Sequence, residues 1–169
     1  MPKIIENLQT RLIEEAKRQI RQSGYGAMTI RSVASACGVG VGTVYNYFPS
    51  KDELVASFML ADWKICMEQI SLAGESHSEP EPVLRCIHEQ LLAYSQRYQM
   101  IFRDEAAAVN FAGGFSRYHA LLRGQLAEPI RKFTLDDFSA QFIAEALLTW
   151  TMAEKEFNEI YGIDRKSVV

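Results

Sequence analysis

The spacing of its apolar residues constrains this chain more than any other feature. Ile5, Leu8, Leu12, Ala16 and Ile20 recur at every third or fourth position. No stretch alternates apolar and polar residues as a half-buried strand would. Spacing of this kind lines one face of a helix, and the fold class it predicts is all-α. Hydrophobic residues make up 48% of the chain and charged residues 23%, ordinary values for a globular domain. A length of 169 residues allows one domain, or two subdomains sharing a core.

Glycines, prolines and capping residues divide the chain. The first helix is expected to run about five turns and to end at Gly24-Tyr25-Gly26. Thr29 then caps a short second helix with Ile30, Val33 and Ala34 facing inward, closed by Gly38. A third short helix covers roughly Val41 to Tyr47. Ser50 and Glu53 have the spacing of a capping box. They open a fourth helix carrying Leu54, Phe58, Ala61, Ile65 and Gln69 at helical spacing, to about Leu72. The polar stretch AGESHSEPEP, residues 73–82, reads as a linker. Helices are expected from Val83 to about Tyr98 and from Met100 to Phe111, with a break at Gly113-Gly114. Another runs from Phe115 to Lys132, interrupted at Pro129. A last helix, capped around Thr134 and Asp137, runs to about Tyr161.

Charge is unevenly spread. Residues 1–51 hold seven basic and three acidic side chains, and the remainder eleven basic and eighteen acidic. A basic head on an acidic body points to a polyanion that meets the head alone. No apolar run is long enough to span a membrane, and the N-terminal stretch lacks the apolar core of a secretory signal, so a cytoplasmic location is expected. Cys37, Cys66 and Cys86 are odd in number and far apart, which fits reduced thiols. Cys66, His77, Cys86, His88 and His119 show no metal-ligand spacing. With no nucleophile elbow and no phosphate-cradling loop, neither a cofactor nor an enzymatic activity is expected.

Two short helices joined by a tight glycine-containing turn outline a helix-turn-helix. Gly40 and Gly42 leave the start of the third helix bare, so its backbone can approach a groove closely. Thr43, Tyr45, Asn46 and Tyr47 follow with hydroxyls and an amide, while Val44 and Phe48 point the other way. Phenols and the Lys51 ammonium suit phosphate oxygens, and Asn46 suits an adenine edge. Val41 offers only apolar contact, and Arg31 can reach a phosphate from the second helix.

The run TIRSVASACGVGVGTVYNYFPSKDEL, residues 29–54, resembles the signature of the TetR/AcrR family of bacterial transcriptional repressors. Thr29, Ala34, Gly38, Val39, Gly42, Thr43, Tyr45, Tyr47, Phe48, Ser50, Lys51 and Leu54 fall on it in register. Cys37 stands where alanine is usual, and Gly40 where the family usually has serine. The resemblance covers about the first 60 residues. It implies a DNA-binding head over residues 1–50, with Thr29, Arg31, Gly40, Val41, Gly42, Thr43, Tyr45, Asn46, Tyr47 and Lys51 as DNA-contacting candidates. It also implies a helical ligand-binding and dimerisation body over residues 51–169.

The expected partners are a near-palindromic double-stranded DNA operator, a second copy of the chain docked through the C-terminal helices, and a small-molecule effector. The final helix carries Phe138, Phe142, Ile143, Leu147, Leu148, Trp150, Phe157 and Ile160 on more than one face, so it is either deeply buried or shared between subunits; the resemblance implies the latter. Met59, Trp63, Met67, Tyr94, Tyr98, Phe102, Phe111, Phe115 and Tyr118 are the candidate lining of an effector pocket. Rich in aromatics and methionine, they suit a lipophilic ligand. Taken singly, each fits ordinary core packing better than a pocket wall. The alternative reading is a helical protein-interaction or small-molecule-binding module whose basic head does not bind DNA.

Overall fold

A computed structural model describes the backbone of residues 7–152 and the side chains of 7–107 and 119–151. Among the described residues every regular element is helical: α1 Leu8–Ala27, α2 Ile30–Cys37, α3 Val41–Tyr45, α4 Lys51–Ser76, α5 Pro80–Phe102, α6 Glu105–Ile130 and α7 Asp137–Met152, with a 3₁₀ turn at Arg131–Phe133. The chain divides into two compact units, one holding residues up to Ala61 together with Tyr98–Gly113, the other holding Asp62–Arg97 and the chain from Gly114. The first unit thus runs past residue 50, the boundary at which a head is expected from sequence.

In the first unit, α1 buries the stripe read from the sequence: Leu8, Leu12, Ala16 and Ile20. Ile5 lies outside the described residues. Gly24 breaks α1 with φ of +82° and ψ of 166°, a conformation L side chains avoid. The helix resumes briefly to Ala27. Thr29 caps α2 by accepting from the Ser32 amide, and Ser32 returns the bond to the Thr29 amide. Ile30, Val33 and Ala34 are buried as expected. Gly38, at φ +69°, closes α2 in the left-handed conformation. Val44 and Phe48 hold α3 against this core. Phe58 of α4 stacks on Tyr98 of α5 with centroids 6.0 Å apart.

The second unit packs Trp63 and Ile70 of α4, Val83, Ile87 and Leu91 of α5, Leu126, Ala127 and Ile130 of α6, and Ala140, Ala144, Leu147 and Leu148 of α7 into one apolar core. Gly74 lets α4 approach α6 closely: a Cβ there would lie 3.0 Å from the Pro129 Cβ. Lys132 Nζ donates to the carbonyls of Gly74 and His77, covering orphan acceptors at the end of α4.

Several expectations are corrected. The buried positions of α4 beyond Phe58 are Trp63, Cys66, Ile70 and Gly74, whereas Ala61 and Gln69 are exposed and Ile65 is 56% exposed. Helix α4 is apolar on several faces, so period alone does not select the buried one. The linker at 73–82 shrinks to residues 77–79, because α4 continues to Ser76 and Pro80 begins α5, a first-turn position that suits proline. Helix α5 runs on to Phe102, past the expected end near Tyr98. Helix α6 passes unbroken through Gly113-Gly114. Glycine keeps its N–H and C=O, so it weakens a helix by about 1 kcal/mol without terminating it. Pro129 falls one residue before the end of α6, where the chain tightens into the 3₁₀ turn. The cap of α7 is Asp136, whose carboxylate accepts from the Ser139 amide at 2.7 Å. Residues from 153 on, where the last helix is expected to reach Tyr161, lie outside the described residues.

Candidate nucleic-acid interface

The geometry of α3 follows from the residues around it. Gly40 is its N-cap and offers no side-chain bond. The Gly40 carbonyl accepts from the Thr43 amide at 3.0 Å and the Val44 amide at 3.4 Å, starting the helix from the backbone alone. Regular helix ends at Tyr45 rather than near Tyr47. Asn46 and Tyr47 are held in a closing turn, in which Val44 O accepts from the amides of Tyr47 and Phe48. Val44 is fully buried and Phe48 nearly so. Two inward anchors four residues apart therefore leave the intervening side chains outside.

Tyr45 is 49% and Tyr47 41% exposed, and Asn46 between them is exposed. Gly40 and Gly42 are exposed, and Val41 and Thr43 half-buried. A Cβ added at Gly42 would meet nothing within 4 Å, so packing within this chain does not require glycine there. Arg31 is exposed and enters none of the described ion pairs. The Thr29 hydroxyl is engaged: it caps α2 and donates to Ser32 Oγ.

Other basic groups of the head hold it together. Arg11 Nη2 donates to the Cys37 carbonyl at 3.1 Å, and the Cys37 thiol faces the Arg11 carbonyl at 3.6 Å. Burial, with the Glu15 charge second, pushes the Cys37 thiol up from its ordinary pKa. Arg18 binds Glu15 through two nitrogens. Its hydrogen bond, followed by that from Gln19, holds the Glu15 carboxyl down at about 2.

Lys51 does not stand free beside the tyrosines. Its Nζ donates to the Tyr25 carbonyl at 2.6 Å and lies 3.9 Å from the centre of the Tyr25 ring. Burial lowers the pKa of this ammonium, and the carboxylates of Asp104 and Asp52 oppose the shift. The Tyr25 hydroxyl donates to Asp52. Sequence reasoning missed Tyr25, Gly26 and Asp104. Nothing local signals them, since their partners lie 26 and 78 residues away along the chain.

The described candidate effector-lining residues fall in both units. In the second unit Trp63 is buried and its indole donates to Gln125 Oε1 at 2.7 Å. Tyr94 meets the Trp63 ring edge-on, centroids 5.4 Å apart, and burial raises the pKa of its phenol. Met67 packs half-buried against the same core. In the first unit Tyr98 is buried against Phe58, Met59 is half-buried and Phe102 is exposed. The side chains of Phe111, Phe115 and Tyr118 lie outside the described residues. Among the described residues no three His, Cys, Asp or Glu side chains gather as metal ligands. None of the described helices is long and apolar enough to cross a membrane.

Residues 12–58 match the family model for bacterial regulatory proteins of the tetR family. The head of this chain is therefore of the tetR-family type. The matching segment contains α2, α3 and the start of α4, the elements that carry the exposed tyrosines. Relatives of this chain include the HTH-type transcriptional repressor KstR of Rhodococcus jostii, 29% identical over 104 residues that cover 60% of this chain and 47% of KstR. A second is the uncharacterized HTH-type transcriptional regulator YhgD of Bacillus subtilis, 29% identical over 56% of this chain and 51% of YhgD. The chain thus spans about half the length of these curated relatives. The same all-helical fold occurs in a TetR-family transcriptional regulator from Pectobacterium atrosepticum. That likeness has a TM-score of 0.62 at 15% identity and covers 94% of this chain and 88% of the other. The relatives are named as regulators, and the family is one of regulatory proteins rather than enzymes.

Proposed function

We propose that this chain is a homodimeric, ligand-responsive transcriptional repressor of the cytoplasm, which binds a near-palindromic duplex through its head and leaves it when a small lipophilic molecule binds the body. The observation that carries this reading is the exposed run Tyr45-Asn46-Tyr47 beside Gly42, where an added Cβ would touch nothing. A helix gains about 1 kcal/mol when an interior glycine becomes alanine. A glycine that no neighbour requires therefore supports close approach of something outside the chain. Tyr45, Tyr47, Thr43 and Arg31 offer donors to phosphates, and Asn46 an amide to a base edge.

The body supports a dimer. Phe138 and Phe142 on α7 are 78% and 66% exposed, stacked on each other with centroids 6.5 Å apart, and Leu121 on α6 and Trp150 on α7 are also exposed. An apolar surface of this kind favours a second copy. Two copies bring two heads to half-sites a whole number of helical turns apart. Trp63, Met67 and Tyr94 are the remaining described candidates for an effector site in the second unit, and their chemistry favours a lipophilic effector.

Selection of bound sequences from random duplex DNA tests the reading. The expected result is a two-fold-related motif whose binding weakens with salt, at about 0.9 in log K per log salt for each phosphate neutralised. Absence of duplex binding at low salt would leave the protein-interaction module as the better account.

A further inference from the structure

The Tyr25 carbonyl and the Gly26 amide belong to one peptide group, and that group is gripped at both ends. Lys51 Nζ, from the first residue of α4, donates to the Tyr25 carbonyl at 2.6 Å. The Gly26 amide donates to Asp104 Oδ2 at 2.9 Å. The other oxygen of Asp104 accepts from the amides of Ala106 and Ala107 at 3.0 and 3.1 Å, so the same carboxylate caps the start of α6. The Lys51 and Asp104 charges attract each other across the peptide. Three elements thus meet on one peptide plane: the end of α1, the start of α4 and the start of α6. All three lie within the first unit.

We infer that Lys51 and Asp104 are positioning residues for DNA binding, fixing the Tyr25–Gly26 peptide group so that α2 and α3 are presented correctly, and that neither contacts DNA. This rests on the duplex-binding reading above. A peptide held by opposite charges at its donor and its acceptor cannot rotate without breaking a charge-assisted bond. Residue 27 follows directly, then Met28, then Thr29, the cap of α2. A shift of that peptide is therefore passed to the reading elements within three residues. Lys51 commits one donor of its ammonium to the Tyr25 carbonyl and packs the group against the Tyr25 ring, which favours holding the head over contacting phosphate.

Two substitutions separate positioning from contact. Asp104→Asn retains an oxygen that caps α6 as well as aspartate does, yet sets an NH2 donor or an uncharged oxygen against the Gly26 amide. Lys51→Met keeps the stem and removes the ammonium. Affinity for the duplex selected with the wild-type chain is measured across a salt series, with the folded fraction checked by circular dichroism at the assay temperature. Each variant is expected to bind about tenfold more weakly with an unchanged salt slope, and the double variant no more weakly than the weaker single. If one variant loses its helical signal, the other carries the test, since both act on the same peptide. A slope reduced by about 0.9 in Lys51→Met makes that residue a phosphate contact and overturns the inference while leaving the DNA-binding reading intact. Wild-type affinity in either folded variant also overturns it. If the wild-type chain binds no duplex, the functional reading falls first and the inference falls with it.

Discussion

The guanidinium of Arg11 reaches the carbonyl of Cys37 at 3.1 Å, tying the first turn of α1 to the last residue of α2. The bond covers an orphan carbonyl at a helix end and places a cation where the α2 dipole is negative. Arg11→Ala is expected to lower head stability by about 1–2 kcal/mol. Urea unfolding of the purified variant measures this. Removal of Arg18, whose side chain is exposed, is expected to leave stability nearly unchanged beside it. Arg31→Ala provides the opposite signature: stability unchanged, and the salt slope of duplex binding reduced by about 0.9.

Gly42 separates fold from function most cleanly. Its Cβ position is empty to 4 Å, so Gly42→Ala is expected to stabilise the free protein by about 0.5–1 kcal/mol. The same methyl stands where a groove floor or phosphate would approach, and duplex binding is expected to weaken by roughly 1–3 kcal/mol. Thermal melts and a binding titration on one sample check both signs. A variant that gains stability and binds normally would remove the observation on which the functional reading rests.

Glu15 gives a pH signature. Its carboxyl is held at about 2, against an ordinary 4.5, chiefly by the Arg18 hydrogen bond and then by Gln19. A folded-state pKa below the unfolded one adds stability that is fully present above about 4.5 and is lost as pH falls towards 2. Glu15 is half-buried but its partner Arg18 is exposed, so solvent screening keeps the contribution under about 1 kcal/mol. Glu15→Gln is expected to destabilise the head at pH 7 and to match the wild type near pH 2. Urea midpoints at both pH values measure the difference.

The head is the more legible part of this chain because its signals are local. Thr29 meets Ser32 three residues on, Gly38 takes the left-handed turn its sequence position predicts, and Val44 and Phe48 bury as their spacing requires. The orientation of Lys51 is not legible, since its acceptor is a backbone carbonyl that carries no residue identity. The body defeats pattern reading for a different reason. Helices α4 and α6 are apolar on several faces, and Gly113-Gly114 resembles a break although glycine only weakens a helix. Burial of Trp63 and exposure of Ile65 are decided by partners from distant segments, here Val83, Ile87 and Leu126.

The exposed faces of α6 and α7 supply the last prediction. Phe138 and Phe142 lie one turn apart on α7 and stack with centroids 6.5 Å apart, with little of either ring covered by the chain itself. Two uncovered phenylalanines are worth about 1.5–3 kcal/mol each when fully buried, and the proposed dimer would provide that burial. Neither contributes to the buried core formed by Ala140, Ala144, Leu147 and Leu148 on the same helix. The double substitution Phe138→Asp, Phe142→Asp is therefore expected to leave the helical signal and the monomer fold in place while shifting sedimentation from dimer to monomer. Duplex affinity should fall with it, because one head alone covers too little surface for tight specific binding. A variant that still sediments as a dimer would mean that the second copy docks elsewhere.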